Sequence, residues 1–210
     1  MTTPAITVRP LTHAETGGAA VVLGRAMRDN PLHVRAFGDD GGHRERALTN
    51  LFSSTLPRQL ASGGTILGAF DDESHQLVGV TAFVGPGHCQ PSRAAKFRTA
   101  RTLLGALGPG AIWRMLVWAQ QWSRRDPETG HWHLGPVGVD RHLQGRGIGT
   151  ALLTEFAARM DALGATSYLE TDKRGNVPFY ERFGFQVVTD ADVLGVRNWF
   201  MIRTAWPALA

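Results

Sequence analysis

Residues 144–149 read QGRGIG, set between the strand-like HLGPVGV (133–139) and the apolar run TALLTEFAARM (150–160). The order is strand, glycine-rich turn, helix. The amides of such a turn point the same way as the free N–H groups of the helix's first turn. With the positive end of the helix dipole they make a ready anion site. Gly145, Gly147 and Gly149 allow unusual backbone angles and leave no Cβ in the way of a ligand. Arg146 adds charge at the rim. A phosphate or pyrophosphate is the expected guest, and the plain alternative is a turn that holds nothing.

Two common phosphate motifs do not fit. No Gly-Lys-Ser/Thr follows at the spacing of a Walker loop. The dinucleotide fingerprint G-x-G-x-x-G, begun at Gly145, needs a glycine where Thr150 stands. Glu170, at a strand end about twenty residues on, keeps a nicotinamide reading open. Against it, no alternating strand and helix units precede the motif, and 40 of the 210 residues follow Glu170.

Working outward, ITVRPL (6–11) alternates like a strand. A helix is expected over 14–30, stopped by Asn30-Pro31, and a second over 44–61, interrupted at Pro57. TILGAFDD and QLVGVTAFVG read as a hairpin around DDESH. Two helices are expected in the segment 91–124, on either side of Gly108-Pro109-Gly110. TSYLET is a strand, PFYERFG a short helix, and FQVVTD and RNWFMIR two last strands. The fold class is α/β, with helices layered on a mixed sheet. Pro136 has no N–H to give a ladder, so a bulge or edge position is expected in the strand before the turn.

A hydrophobic fraction of 43% suits a globular core, and a single cysteine, Cys89, excludes an intramolecular disulfide framework. MTTPAITVRPLT has no apolar signal core, and LLGALGPGAIWRMLVWA is too broken to span a membrane. A soluble cytoplasmic protein is expected, with no membrane partner. The net charge is +4, but residues 90–125 hold Arg93, Lys96, Arg98, Arg101, Arg114, Arg124 and Arg125 and no acid. A solvated helix surface explains this run, and no nucleic-acid motif accompanies it.

The turn does not stand alone. Gln144-x-x-Gly147-x-Gly149 follows a strand and opens a helix. A strand and then NVPFYERFGF (176–185) come next. This combination resembles the GNAT superfamily of acetyl-CoA-dependent N-acetyltransferases. The match is specific over about 131–204 and looser at the N-terminus, where ITVRPLT and the helix after it look like the family's first strand and helix. Within the superfamily, HLGPVGVDRHLQGRGIG, YLET and NVPFYERFGF look most like the puromycin N-acetyltransferase type. The resemblance implies one acetyltransferase domain over 1–210. Its sheet would be mixed and mostly antiparallel, flanked by helices, with 91–124 as an extra two-helix insertion before the cofactor-binding strand.

The resemblance also implies roles. Gln144, Gly145, Arg146, Gly147, Ile148, Gly149 and Thr150 would hold the pyrophosphate of acetyl-CoA. The strand Val137, Gly138, Val139 would bond the pantetheine arm through its backbone. Asn176, Phe179 and Tyr180 would line the other side. The family's bulge on this strand opens a slot for the acyl arm, in agreement with Pro136. No metal is expected.

Acetylating an amine from a thioester requires a neutral amine, a polarised carbonyl and a proton for the leaving thiolate. A phenol, with a pKa of about 10, is a suitable donor. Tyr180 occupies the family's general-acid position. His133 stands eleven residues before Gln144, the offset of the catalytic glutamate of histone-acetylating members, and is the candidate base. His131 and Glu170 are its rivals, and a satisfied polar strand residue is the plain alternative. Simple alternation puts His133 on the face of Val137 and Val139 unless the bulge shifts the phase. Direct transfer is expected. Cys89 as an acyl carrier is disfavoured, because only His88 adjoins it in sequence. Asp172-Lys173-Arg174 reads as a solvated loop.

Trp113, Trp118 and Trp122 in the insertion suit either a wall for a planar amine or, by their helical spacing, a core. The leading function is acetyl transfer to a primary amine of a small molecule, in detoxification or antibiotic resistance. A protein or peptide N-acetyltransferase and a non-catalytic acetyl-CoA sensor are the alternatives. A monomer or a homodimer is compatible with the chain.

Overall fold

The computed structural model describes residues 5–89, Arg101 and residues 107–205. Seven strands make one sheet: β1 (Ile6–Pro10), β2 (Thr65–Asp71), β3 (Leu77–Val84), β4 (Trp132–Val139), β5 (Ser167–Thr171), β6 (Gln186–Val193) and β7 (Val196–Arg203). Their order across the sheet is β1-β2-β3-β4-β5-β7-β6. Every neighbouring pair is antiparallel except β4 and β5. This is the mixed, mostly antiparallel sheet expected from the sequence.

Helices cover both faces. On one lie α1 (Thr16–Met27), α2 (Pro31–Phe37), α3 (Gly41–Ala61) and α4 (Pro109–Ser123). Leu23, Leu48, Phe52 and Leu56 pack there on Val80 and Ala82. On the other lie α5 (Ile148–Ala162) and α6 (Val177–Glu181), where Leu152, Phe156 and Met160 pack on Phe83, Leu134 and Met201. A strand buried on both faces needs apolar residues at successive positions, which is why β3 reads LVGVTAFV without alternation.

Three local expectations are revised. The helix foreseen over 14–30 is a 3-10 turn at His13–Glu15 followed by α1. Asn30-Pro31 ends it but also starts another: Pro31 is a first-turn proline of α2, where the missing N–H costs no bond. Pro57 does not interrupt α3, which runs on to Ala61. It falls near the helix's end, and fully buried Leu56 on one side and Leu60 on the other anchor that last turn to the core. Of the two helices expected in 91–124, the second is α4. The first lies outside the described residues apart from Arg101, which is helical.

The sheet opens at its centre. β4 pairs with β3 along its length, but its register shifts between Thr81 and Phe83, opposite the Gly135-Pro136 segment. That is the irregularity expected from Pro136. β4 meets β5 only at Trp132↔Ser167 and His133↔Tyr168. Beyond His133 no residue of β4 pairs with β5, so the part of β4 that leads to the glycine-rich turn is unpaired on that side.

Candidate active site

The turn is built by local bonds. The Asp140 amide donates to the Val78 carbonyl at 2.8 Å, fixing the end of β4. The Asp140 carboxylate then accepts from the His142 amide at 3.3 Å and starts the 3-10 turn Arg141–Leu143. Gln144 folds back, its Nε2 donating to the Val139 carbonyl at 3.1 Å. Gly145 and Gly147 take φ of 77° and 83°, and Gly147 is the N-cap of α5. Left-handed angles cost L-residues about 1–2 kcal/mol, so glycine is the natural choice at both.

These residues open onto a cleft of about 460 Å³. Its walls include Val137, Gly138, Val139, Gln144, Gly145, Gly147, Ile148, Gly149, Thr150, Asn176, Phe179 and Tyr180. Of the residues named from sequence, Arg146 and His133 are not among the lining. The cleft also takes in Ala26, Met27, Asn30, Leu143, Lys173 and Arg182, which sequence reasoning missed. Two of them supply positive charge from the wall opposite the turn. The Asp172-Lys173 pair is therefore not simply a solvated loop. Lys173 lines the cleft, and Asp172 accepts the Leu32 amide at 2.7 Å, joining the end of β5 to α2.

α1 reaches the cleft because Gly138 lets it. A Cβ at Gly138 would stand 2.9 Å from Ala26 Cβ and Leu23 Cδ2. The opposite wall is α6 and the turn before it. Asn176 Nδ2 donates to Thr171 Oγ1 at 3.3 Å, and Phe179 lies 3.3 Å from where a Gly149 Cβ would be. Tyr180 is 7% exposed, with its ring edge-on to Phe179 and Phe185 at 5.3 and 6.0 Å. Burial, and after it the charge of Asp172, push its pKa upward. The phenol therefore keeps its proton at neutral pH.

His133 lies elsewhere. The register shift puts Leu134, Val137 and Val139 together on the α5 side of the sheet. Its neighbour His133 consequently faces the other way. There its Nε2 is 2.9 Å from Glu170 Oε2, and it stands beside His131 and Cys89. Burial would lower the His133 pKa, but the charge of Glu170 and bonds from Cys89 and Glu170 outweigh burial and push it up to about 10. For Cys89, burial pushes the thiol up, but the bonds and charges of His131 and His133 prevail and bring it down to about 7. His131 is raised, chiefly by its bond with Cys89. Sequence adjacency offered Cys89 only His88, whereas the fold brings it two other histidines.

The tryptophans of α4 do not line the cleft. Trp118 packs on the core and edge-on to His33 at 5.2 Å. Trp122 Nε1 donates to Asn198 Oδ1 of β7 at 3.2 Å, and Trp113 is 67% exposed. Trp199 lines a second, open hollow of about 530 Å³ with Arg174, Asp190 and Arg197.

A turn of left-handed glycines at the head of a helix, beside a strand that is unpaired on one side, makes a cleft suited to a phosphate-bearing ligand. The sequence profile of the acetyltransferase (GNAT) family matches residues 43–185, and the chain belongs to that family. Its cosubstrate is acetyl-CoA. Among solved structures, one similar to it is a Corynebacterium glutamicum protein described as a histone acetyltransferase HPA2 and related acetyltransferase. It has 24% identity and a TM-score of 0.74 over 98% of this chain and 99% of that one. The PaiA N-acetyltransferase of Thermoplasma acidophilum, solved with coenzyme A, has 15% identity and a TM-score of 0.60 over 95% and 99%. A Drosophila melanogaster polyamine N-acetyltransferase that forms N-acetylagmatine has 17% identity and a TM-score of 0.60 over 95% and 100%. At these identities the three likenesses concern the fold. Among the described residues no helix is long and apolar enough to cross a membrane.

Proposed function

We propose that the protein transfers an acetyl group from acetyl-CoA directly to the primary amine of a small molecule. The observation that carries this reading is that the open edge of β4, the glycine-rich turn and Tyr180 face one cleft. The thioester supplies an activated acetyl group. The amides of Gly145, Gly147, Ile148, Gly149 and Thr150 bind the pyrophosphate, with Gln144 holding the turn to β4 and Arg146 at its rim. Lys173 and Arg182 add charge across the cleft. The backbone of Val137, Gly138 and Val139, unpaired toward β5, bonds the pantetheine arm, while Asn176 and Phe179 close the other side.

Tyr180 donates its proton to the departing thiolate, and its raised pKa keeps that proton available. His133 takes no part in this scheme. It lies outside the cleft lining, and its Nε2 is engaged with Glu170 Oε2 at 2.9 Å. The amine enters neutral or loses its proton to water.

For the acceptor, the polyamine enzyme that forms N-acetylagmatine supports a small amine. The pattern shared with the puromycin type makes aminonucleosides the first compounds to try, with detoxification or antibiotic resistance as the physiological setting. The test has two stages. Acetyl-CoA must raise the midpoint of thermal unfolding, since it binds the folded state. Release of free thiol is then followed with aminonucleosides, agmatine and a lysine peptide. Turnover on the peptide alone would move the reading to a protein acetyltransferase. Binding without turnover on any amine would favour a sensor.

A further inference from the structure

Cys89, His131 and His133 form a cluster that the acetyl transfer does not use. One ligand atom from each lies within 4.8 Å of the others. Cys89 follows β3, whereas the two histidines alternate along the start of β4, which places them on the same face. His131 is 5% exposed, and its Nδ1 lies 2.8 Å from the Thr129 carbonyl oxygen. His133 turns Nε2 to Glu170 Oε2 at 2.9 Å. An imidazole nitrogen facing a carbonyl or carboxylate oxygen carries the hydrogen. The remaining nitrogens, His131 Nε2 and His133 Nδ1, are buried and have no hydrogen bond of good geometry, Cys89 being the neighbour that both rings share. Asp126 Oδ1 pairs with the first of them at 3.2 Å and would yield it to a bound cation.

This is how histidines are held around a metal. A ligating imidazole gives its other N–H to a carbonyl or carboxylate, which fixes the ring and raises its basicity. Here both rings are so held, and one nitrogen of each comes together with a thiol. In a tetrahedral zinc site, with Zn–N about 2.0–2.1 Å and Zn–S about 2.3 Å, ligand atoms stand roughly 3.3–3.8 Å apart. The 4.8 Å limit exceeds that by about 1–1.5 Å, so the ligands must draw together slightly around an ion. A thiolate with two imidazoles is a borderline-soft donor set that suits Zn²⁺ over Mg²⁺ or Ca²⁺.

We propose that Cys89, His131 and His133 bind one Zn²⁺ through Sγ, Nε2 and Nδ1, with Glu170 positioning His133 and a fourth coordination position left to solvent. The ion displaces the protons that the cluster otherwise holds. It fastens the chain after β3 to the start of β4. Acetyl transfer asks for no metal, so this site is additional to the cleft and independent of the function proposed above.

The experiment is metal binding by the purified full chain, stripped with chelator and dialysed against Zn²⁺ or Co²⁺. One Zn²⁺ per chain is expected. With Co²⁺, a near-ultraviolet thiolate-to-metal absorption and visible bands of tetrahedral intensity are expected. Cys89→Ser should lose the thiolate band and weaken binding at least tenfold. Glu170→Gln should keep the band and weaken binding about ten- to hundredfold, as outer-shell changes do. A cooperative thermal transition in each variant shows that it is folded, and His131→Asn serves if Cys89→Ser is not. Two results would overturn the proposal. One is a folded wild type that takes up less than a tenth of an equivalent of Zn²⁺. The other is a folded Cys89→Ser that binds as tightly as wild type.

Discussion

Tyr180 gathers the consequences of its surroundings into one atom. It is buried, ringed by Phe179 and Phe185, and kept protonated by burial and by Asp172. Tyr180→Phe removes the proton and little else. Turnover should fall by about 10²–10⁴, while acetyl-CoA should still raise the unfolding midpoint by the wild-type amount. Gly145 makes a different demand. At φ 77° a Cβ would meet no protein atom within 4 Å. Gly145→Ala should therefore destabilise by about 1–2 kcal/mol through backbone strain alone, read from a denaturant midpoint. It should also raise the KM for acetyl-CoA, because the methyl points into open space beside the cleft. That Tyr180 and the glycines share one cleft was legible in the sequence because their placement depends on short spacings. His133 was not. Its face depends on one extra residue in the ladder opposite Thr81 and Phe83, and a bulge can be expected from Pro136 without fixing which side of it changes phase.

At the level of elements, the cleft is closed by a helix that no local pattern ties to it. α1 belongs to the far end of the chain, and it reaches β4 through the contact of Ala26 and Leu23 with Gly138. Gly138→Val should push α1 off the strand. The expected cost is about 1–3 kcal/mol by overpacking, together with a smaller acetyl-CoA-induced rise in the unfolding midpoint. Gly145→Ala and Gly138→Val thus test opposite walls of one site. Ala26, Met27 and Asn30 were invisible to sequence reasoning because contact across a sheet carries no spacing signal. Lys173 and Arg182 were more accessible, since the first stands just before the NVPFYERFGF block, the second lies inside it, and their charge suits a phosphate. The short helix α2 was hidden by Asn30-Pro31, a pair that marks a stop and a start equally well.

Across the whole molecule, the layer on the α1 side contains a titratable group that has no catalytic use. His33 sits among Phe37 and Trp118 with its Nδ1 on the Met27 carbonyl at 3.0 Å. Burial lowers its pKa to about 4, despite the charge of Asp172. The unfolded chain, with a histidine pKa of about 6.5, binds this proton more readily. The stabilisation is therefore complete above about pH 6.5 and is lost as pH falls toward 4, on the order of 3 kcal/mol in all. Urea midpoints measured between pH 7 and 4 should fall accordingly, and His33→Gln should flatten that part of the profile. The α/β order and the count of seven strands were legible in the sequence, because hairpins and capped helices are local. The two-layer partition of the core was not, since it depends on which strand neighbours which.

The parting of β4 from β5 has a consequence for how the sheet breathes. Only two residue pairs stitch its halves together. In isotope-exchange terms this makes a seam: amides of residues 137–139 that turn away from β3 have no strand across from them to slow exchange with solvent. They should exchange faster than those of β2 and β3 in the free protein and become protected when acetyl-CoA is added, an outcome that amide hydrogen–deuterium exchange reads directly. On the proposed reading the cosubstrate is then a missing rung. The sheet is continuous only while its cargo is aboard, and departure of the free thiol product reopens it.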